Sequence, residues 1–303
     1  MSNTTKAVIL TFLAIIFWAG AATAFKLALK HLSPPNLLFY SVLISALALS
    51  LIVVFSGKAL HLLKMDRQFF IHSAIAGFLN PFLYYTILFK AYDLLPGQLA
   101  MALNYGWPVT LTVLAVPLLK QRLTVIQGIS VFISFTGAVI IATRGSFISL
   151  AGVDNTGIFL ALSSTLVWAI YWLINTKDKY DPVLKLMVSF LFGFVYILVS
   201  QVVFDELVFP AQESWPALGY IGLFEMGITF VIWLTALKVT PSAARISNLI
   251  YITPFLSLLA LFLIIGEKIF FSTFVGLVLI VSGILMQELY SRKKRLPDQT
   301  IRE

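Results

Sequence analysis

Asn104-Tyr105-Gly106-Trp107-Pro108 places an amide, two large aromatics, a glycine and a proline inside an apolar run that extends from Gly97 to Leu119. A weaker version, Asn248-Leu249-Ile250-Tyr251-Ile252-Thr253-Pro254, interrupts a second apolar run late in the chain. Proline has no N–H to donate and frees the carbonyl four residues upstream, here that of Asn104 and that of Ile250. In hydrocarbon such an acceptor must find a partner, so Pro108 and Pro254 are expected to break their helices. Two interrupted apolar segments at matching places in a chain point to the binding site of a transporter.

The rest of the composition agrees with a membrane setting. Hydrophobic residues make up 60% of the 303 positions and charged residues only 11%, and the mean hydropathy is +0.96. A soluble domain carries roughly 25% charge. Ten apolar runs of about 20 residues, each long enough to cross about 30 Å of hydrocarbon as a helix, cover 7–29, 37–55, 69–91, 97–119, 125–143, 156–176, 183–204, 216–238, 241–265 and 270–290. The first run is longer than a signal-peptide core, so the small residues Ala19 to Ala24 are read as part of helix 1 rather than as a cleavage site.

Charge sets the expected orientation. With the N-terminus inside, 15 of the 21 Lys and Arg residues fall on inner segments, among them Lys58, Lys64, Lys179, Lys185 and the Arg292–Arg295 run, and five fall on outer ones. This bias places both termini in the cytoplasm of a multi-pass protein of the inner (plasma) membrane. It also accounts for the net charge of +8 without a nucleic-acid partner. The lipid bilayer and a small-molecule substrate are the partners expected, with a coupling proton as a further possibility and a monomer as the working form.

The features of the first half return in the second. Gly77 matches Gly222 and Pro96 matches Pro241 at a spacing of 145, while Tyr105 matches Tyr251, Pro108 matches Pro254 and Gly137 matches Gly283 at 146. Residues 1–144 are therefore read as one five-helix repeat, 145–155 as a linker, 156–290 as a second repeat and 291–303 as a basic cytoplasmic tail. Five spans is an odd number, so the second repeat starts from the opposite side of the membrane. The expected fold is all-α, ten transmembrane helices in two inverted repeats related by a pseudo-two-fold axis in the membrane plane.

These residues resemble a known group. Two five-helix repeats, each with a tight proline link before its fourth helix and a proline within it, and a Gly266-Glu267-Lys268 end, are similar to the EamA-type branch of the drug/metabolite transporter superfamily. The first repeat departs from that pattern with Lys120-Gln121-Arg122 where Gly-Glu-Arg is usual. Asn104-Tyr105-Gly106-Trp107-Pro108 is further similar to the Asn-Tyr-x-Trp-Pro stretch of YddG-like exporters of aromatic amino acids, and the resemblance implies export as the direction.

The candidate substrate-binding residues are Trp18, Tyr84, Tyr85, Tyr105, Trp107, Trp168, Glu225, Arg245 and Tyr251. The aromatics sit in the middle thirds of their runs, where an interfacial belt would not put them and where packing alone would suit Phe better, since a buried Tyr or Trp needs a hydrogen-bond partner. Glu225 lies at mid-membrane depth, at the repeat position of Asn80. A carboxyl there is costly unless paired or neutral, which makes it an ammonium partner or proton carrier against the plainer reading of a hydrogen-bonded structural group. Arg245, one turn into its run, either forks onto a substrate carboxylate or snorkels to the headgroups, and Lys26 and Lys90 read as snorkelling residues.

No catalytic residue, cofactor or metal site is expected. His31, His61 and His72 lack ligand spacing, there is no cysteine, and no nucleotide-binding or hydrolase motif is present. The leading function is a secondary transporter of small amphipathic metabolites, aromatic or hydrophobic amino acids first and organic cations or drugs second. A membrane enzyme acting on lipids would need clustered acids or histidines at one face, and a passive channel a polar stripe along several helices.

Overall fold

The computed structural model describes residues 3–107, 110, 113–114, 118, 124–142, 145, 153–176, 178–204, 207–239, 249–266 and 268–293. The first repeat comprises α1 (Asn3–Ala19), α2 (Ala21–Ala28), α3 (Pro34–Phe55), α4 (Arg67–Gly77), α5 (Tyr84–Leu94), α6 (Gly97–Asn104) and α7 (Val125–Ala142). The second comprises α8 (Asn155–Thr176), α9 (Pro182–Phe204), α10 (Trp215–Tyr220), α11 (Ile228–Val239), α12 (Thr253–Ala260) and α13 (Phe271–Lys293). Among the described residues five helices are long and apolar enough to cross a membrane.

The outer surface is apolar, and polar side chains are set into a largely apolar interior. Phe55, Phe132, Phe159, Val202 and Phe204 stand outward, while Thr11, Ser41, Ser45, Ser73, Asn80, Ser164 and Thr229 are buried. Lipid solvates the former. Hydrocarbon offers polar groups nothing, and Thr11, Ser164 and Thr229 donate to the carbonyls of Ala7, Ala161 and Phe224, the first at 2.8 Å.

Two helix pairs reveal the direction of the repeats. In the seam between α7 and α13, a Cβ on Gly137 would lie 2.4 Å from the Gly276 carbonyl oxygen, one on Gly276 would lie 2.5 Å from that of Gly137, and one on Gly283 would lie 2.5 Å from that of Ser130. Numbers rise on one helix as they fall on the other, so these two helices, the fifth of each repeat, are antiparallel. The second helices agree: Asn36 at the start of α3 meets Gln201 near the end of α9, and Lys58 just beyond α3 meets Asp181 just before α9. Corresponding members of the two repeats run in opposite directions, and the repeat is inverted.

The remaining contacts obey the same axis. α1 packs on α11 as α5 packs on α8, and α1 packs on α12 as α6 packs on α8. α9 packs on α4 and on the turn that follows it, and α3 packs on α10 and on the turn that follows it, which is again one set of contacts and its symmetry mate. The third and eighth spans are each interrupted by a π-turn, at Phe78–Leu83 between α4 and α5 and at Ile221–Glu225 between α10 and α11. In the first, Asn80 leaves the helix altogether (φ −150°, ψ 119°) and is followed by a cis bond to Pro81.

The fourth and ninth spans break a little upstream of where their prolines stand. α6 ends at Asn104, and Tyr105 and Gly106 form a turn. In the ninth span a 3₁₀ turn over Ile250–Ile252 precedes α12, and Pro254 sits in the first turn of α12. That position needs no intrahelical N–H, so Pro254 leaves no hydrogen bond of α12 unmade. Pro108 lies outside the described residues.

Candidate functional site

The breaks converge on a cavity between the two repeats. It is lined by Trp18 and Phe25 from the first span, Tyr84 and Tyr92 from α5, Met101, Asn104, Tyr105 and Trp107 from the fourth span, Trp168 and Trp172 from α8, Glu225 and Trp233 from the eighth span, and Ile250 and Ser257 from the ninth. With its open side it encloses about 750 Å³ of empty space.

The π-turn at Ile221–Glu225 delivers Glu225. A π-turn re-spaces the backbone hydrogen bonds of a helix and recurs at functional sites. Here it leaves the Glu225 carbonyl to accept the Trp18 Nε1–H at 3.2 Å. The carboxyl Oε1 accepts the Tyr85 hydroxyl at 3.1 Å, and Oε2 is buried with no hydrogen-bond partner among the described residues. A half-satisfied carboxyl on a cavity wall is chemically ready for a donor.

A break in the first span lets this happen. The chain turns at Gly20, between α1 and α2, where a Cβ would lie 2.2 Å from the Tyr220 hydroxyl oxygen. Tyr220 reaches past that glycine and donates to the Phe17 carbonyl at 2.6 Å, which locks the first span to the helix that carries Glu225.

Aromatic rings form most of the wall. Tyr84 and Trp168 are stacked with centroids 4.5 Å apart, and Trp168 and Tyr171 are stacked at 5.7 Å. Trp18 meets Trp233 edge-on at 5.9 Å. Asn104 braces the stack of Tyr84 on Trp168: its Nδ2–H donates to Ser164 Oγ at 2.9 Å, and its Oδ1 accepts the Tyr84 hydroxyl at 3.3 Å.

The structure thus brings together Trp18, Tyr84, Tyr105, Trp107, Trp168 and Glu225 as the sequence suggested. Tyr85 stands behind the wall, fully buried, and reaches the site only through its bond to Glu225. Arg245 and the Tyr251 side chain lie outside the described residues. Trp172 and Trp233 were not singled out from sequence. Trp172 follows Trp168 by four positions, one helical turn, and that spacing was the available signal. Trp233 carried none, since only its packing on Trp18 turns it inward.

The two lysines read as snorkelling differ. Lys90 pairs with Asp93 at 2.8 Å on the exposed surface. Lys26 instead donates to the Tyr92 and Leu95 carbonyls at 3.0 and 3.1 Å, where a cation satisfies the last acceptors of α5 and complements its dipole. Lys26 is a helix cap.

One end of the bundle is charged. Lys58 donates to Asp181 at 2.9 Å. Burial works against the Asp181 charge, but the Lys58 hydrogen bond and the N–H groups of Leu184 and Val183 outweigh it, and the carboxyl titrates below its ordinary value. Asp66 is likewise held low by the hydroxyl of Tyr180 and the N–H of Phe69, and Tyr180 is pushed up to about 12 by the same bond. At the opposite end the equivalent contact is neutral: Asn36 Oδ1 accepts Gln201 Nε2 at 3.4 Å and the Val208 N–H at 3.0 Å.

The model of the EamA-like transporter family matches the chain twice, over residues 5–143 and 155–287. The chain belongs to this family. Among its relatives is an uncharacterized transporter YvbV of Bacillus subtilis, 26% identical over 97% of this chain and 95% of that protein. Another is the aromatic amino acid exporter YddG of Ancylobacter novellus, 23% identical over 84% of this chain and 88% of that protein. A solved crystal structure superposes with a TM-score of 0.74 at 21% identity, covering 96% of this chain and 99% of the other, and so shares the fold. As a member of the family the protein is a multi-pass membrane transporter, and the double match reflects the inverted repeat.

Proposed function

We propose that the protein is a secondary transporter that exports aromatic or hydrophobic amino acids across the cytoplasmic membrane by alternating access, with both termini in the cytoplasm. The observation that carries this reading is the half-satisfied carboxyl of Glu225 on a wall of stacked rings. A ligand with a flat apolar body and a small cationic head suits it: the rings supply area and quadrupole, and Glu225 Oε2 accepts an ammonium proton. A cation over such a ring is worth about 0.5–2 kcal/mol, depending on desolvation. The name of the Ancylobacter novellus relative supports the substrate class. Sugars and phosphates suit the wall poorly, since it offers few donors.

Organic cations form the second reading, favoured by the same observation, because the described wall holds an acid and no base. Purified protein in liposomes, offered a panel of amino acids and aromatic amines, separates the two. The expected result is saturable movement of phenylalanine- or tryptophan-like amino acids, weakened about 3- to 10-fold by Trp168→Ala, the equivalent of about 0.5–1.5 kcal/mol for a lost aromatic pair. Movement of amines alone favours the second reading, and indifference of every compound to Trp168→Ala and Trp107→Ala sinks the aromatic site.

A further inference from the structure

A second cavity adjoins the central one on the side where α8 ends and α9 begins, and the Trp172 ring lines both. It encloses about 530 Å³ of empty space. Between the two lies an aromatic constriction, in which Trp168 meets Tyr171, Trp172 and Phe230, each with centroids 5.7 Å away. This second cavity holds something the central one lacks, a buried cation beside a buried anion. Lys185, 4% exposed, is hydrogen-bonded to Asp178 Oδ2. The other Asp178 oxygen accepts the Tyr180 N–H at 3.0 Å, and the half-exposed His72 Nδ1 stands 3.8 Å from Oδ2.

Two further polar atoms in the lining are buried with no hydrogen-bond partner among the described residues, Ser189 Oγ and Trp172 Nε1. Ser189 is 1% exposed. Orphaned polar atoms are rare in native interiors and mark places where a partner arrives. Phe230, Leu186 and Leu234 supply apolar surface beside them.

We propose that this cavity is a loading subsite for a zwitterion, in which the Lys185–Asp178 pair opens, Lys185 takes the carboxylate of an amino acid and Asp178 takes its ammonium group. The inference rests on the amino-acid reading of the central site and deepens it. A buried ion pair stripped of one partner is strongly destabilised. A zwitterion replaces both partners at once, so no charge is left alone. An amine without a carboxylate would strand Lys185, and an acid without an amine would strand Asp178. The pair therefore discriminates by rejection, and this lets a central cavity with one carboxyl serve amino acids in preference to amines.

The test is uptake by liposomes from the face that carries residues 178–185, comparing phenylalanine with phenethylamine. Asp178→Asn/Lys185→Gln keeps a hydrogen-bonded neutral pair and avoids a stranded charge, and Asp178→Lys/Lys185→Asp restores the two charges in exchanged places. The neutral variant is expected to raise KM for phenylalanine at least tenfold while leaving phenethylamine unchanged or improved, and the exchanged variant to recover phenylalanine at least in part. Unchanged phenylalanine KM in the neutral variant overturns the inference. So does an equal loss for both compounds accompanied by a lowered melting temperature, which makes the pair a structural clasp. If the unmodified protein moves amines but no amino acid, the substrate reading has failed first, and that outcome is distinct from both.

Discussion

The two repeats place different chemistry at equivalent points of one scaffold. Asn80 and Glu225 stand 145 positions apart, each at a π-turn in the third span of its repeat, and both are buried. Asn36 and Asp181 stand 145 apart as well, each at the start of the second helix of its repeat. In both pairs the first repeat carries the amide and the second the acid. Inverted repeats make the two halves nearly equivalent in packing, so in the transport cycle proposed above a difference in charge between them would set substrate preference and sense. The scaffold is shared, and at these two pairs of positions the acid belongs to the second copy.

The shared part is the easier to break. Gly276→Leu forces a side chain into the Gly137 carbonyl at the seam where the two fifth helices cross, and loss of most folded protein is expected, judged by monodisperse yield after extraction. Gly219→Leu is the control, because a Cβ there meets nothing within 4 Å. Similar yields for the two variants would mean that the close approach of α7 and α13 is dispensable.

The unshared part should respond in function and spare the fold. Glu225→Gln keeps the shape and the Tyr85 contact but removes the charge, so a hydrogen bond to a charged ligand worth about 1.5–3 kcal/mol is weakened, equivalent to roughly 10- to 100-fold in affinity. The pH dependence of transport should flatten with it. Asn80→Asp is the sharpening experiment: if a carboxyl in the first repeat rescues Glu225→Gln, position within the cavity matters more than which copy supplies it. Normal transport by Glu225→Gln across pH would make that carboxyl a structural group.

The smallest effect is expected at the charged end. Asp66 and Asp181 titrate lower in the folded protein than their ordinary 3.8. A depressed carboxylate pKa contributes stability that is present above the unfolded value and lost as pH falls through the folded one. Thermal stability should therefore dip below about pH 4, and Asp181→Asn should flatten part of that dip at a cost of under about 1 kcal/mol, since Lys58 and Asp181 are each about a third exposed. Asn36→Asp, at the neutral contact of the opposite end, should leave the acid limb unaltered or steepen it. A stability profile in Asp181→Asn identical to that of the unmodified protein below pH 4 would remove this pair from the comparison.

Much of this was legible in the chain itself, and the reason is locality. Apolar runs of about 20 residues declare spans because each helix satisfies its own backbone, independent of its neighbours. The repeat and its inversion follow from spacings of 145 and 146 and from an odd span count. Glu225 was conspicuous because a carboxyl at mid-depth has few structural excuses, and the interrupted stretch around Tyr105 and Trp107 announced a break near a cavity.

What tertiary structure decided are the relations between distant residues. Sequence could not tell that Tyr85 serves Glu225 from behind the wall while its neighbour Tyr84 faces the cavity, since adjacent helical residues point about 100° apart and the helix rotation is set by packing. Nor could it tell that Lys26 caps α5 across 66 positions, or that Lys185 and Asp178 close on each other beneath a ring of aromatics. Backbone hydrogen bonding fixes where a helix can exist, and that is written locally. Which side chains meet depends on how helices from two inverted copies cross, and that is settled only when the whole bundle packs.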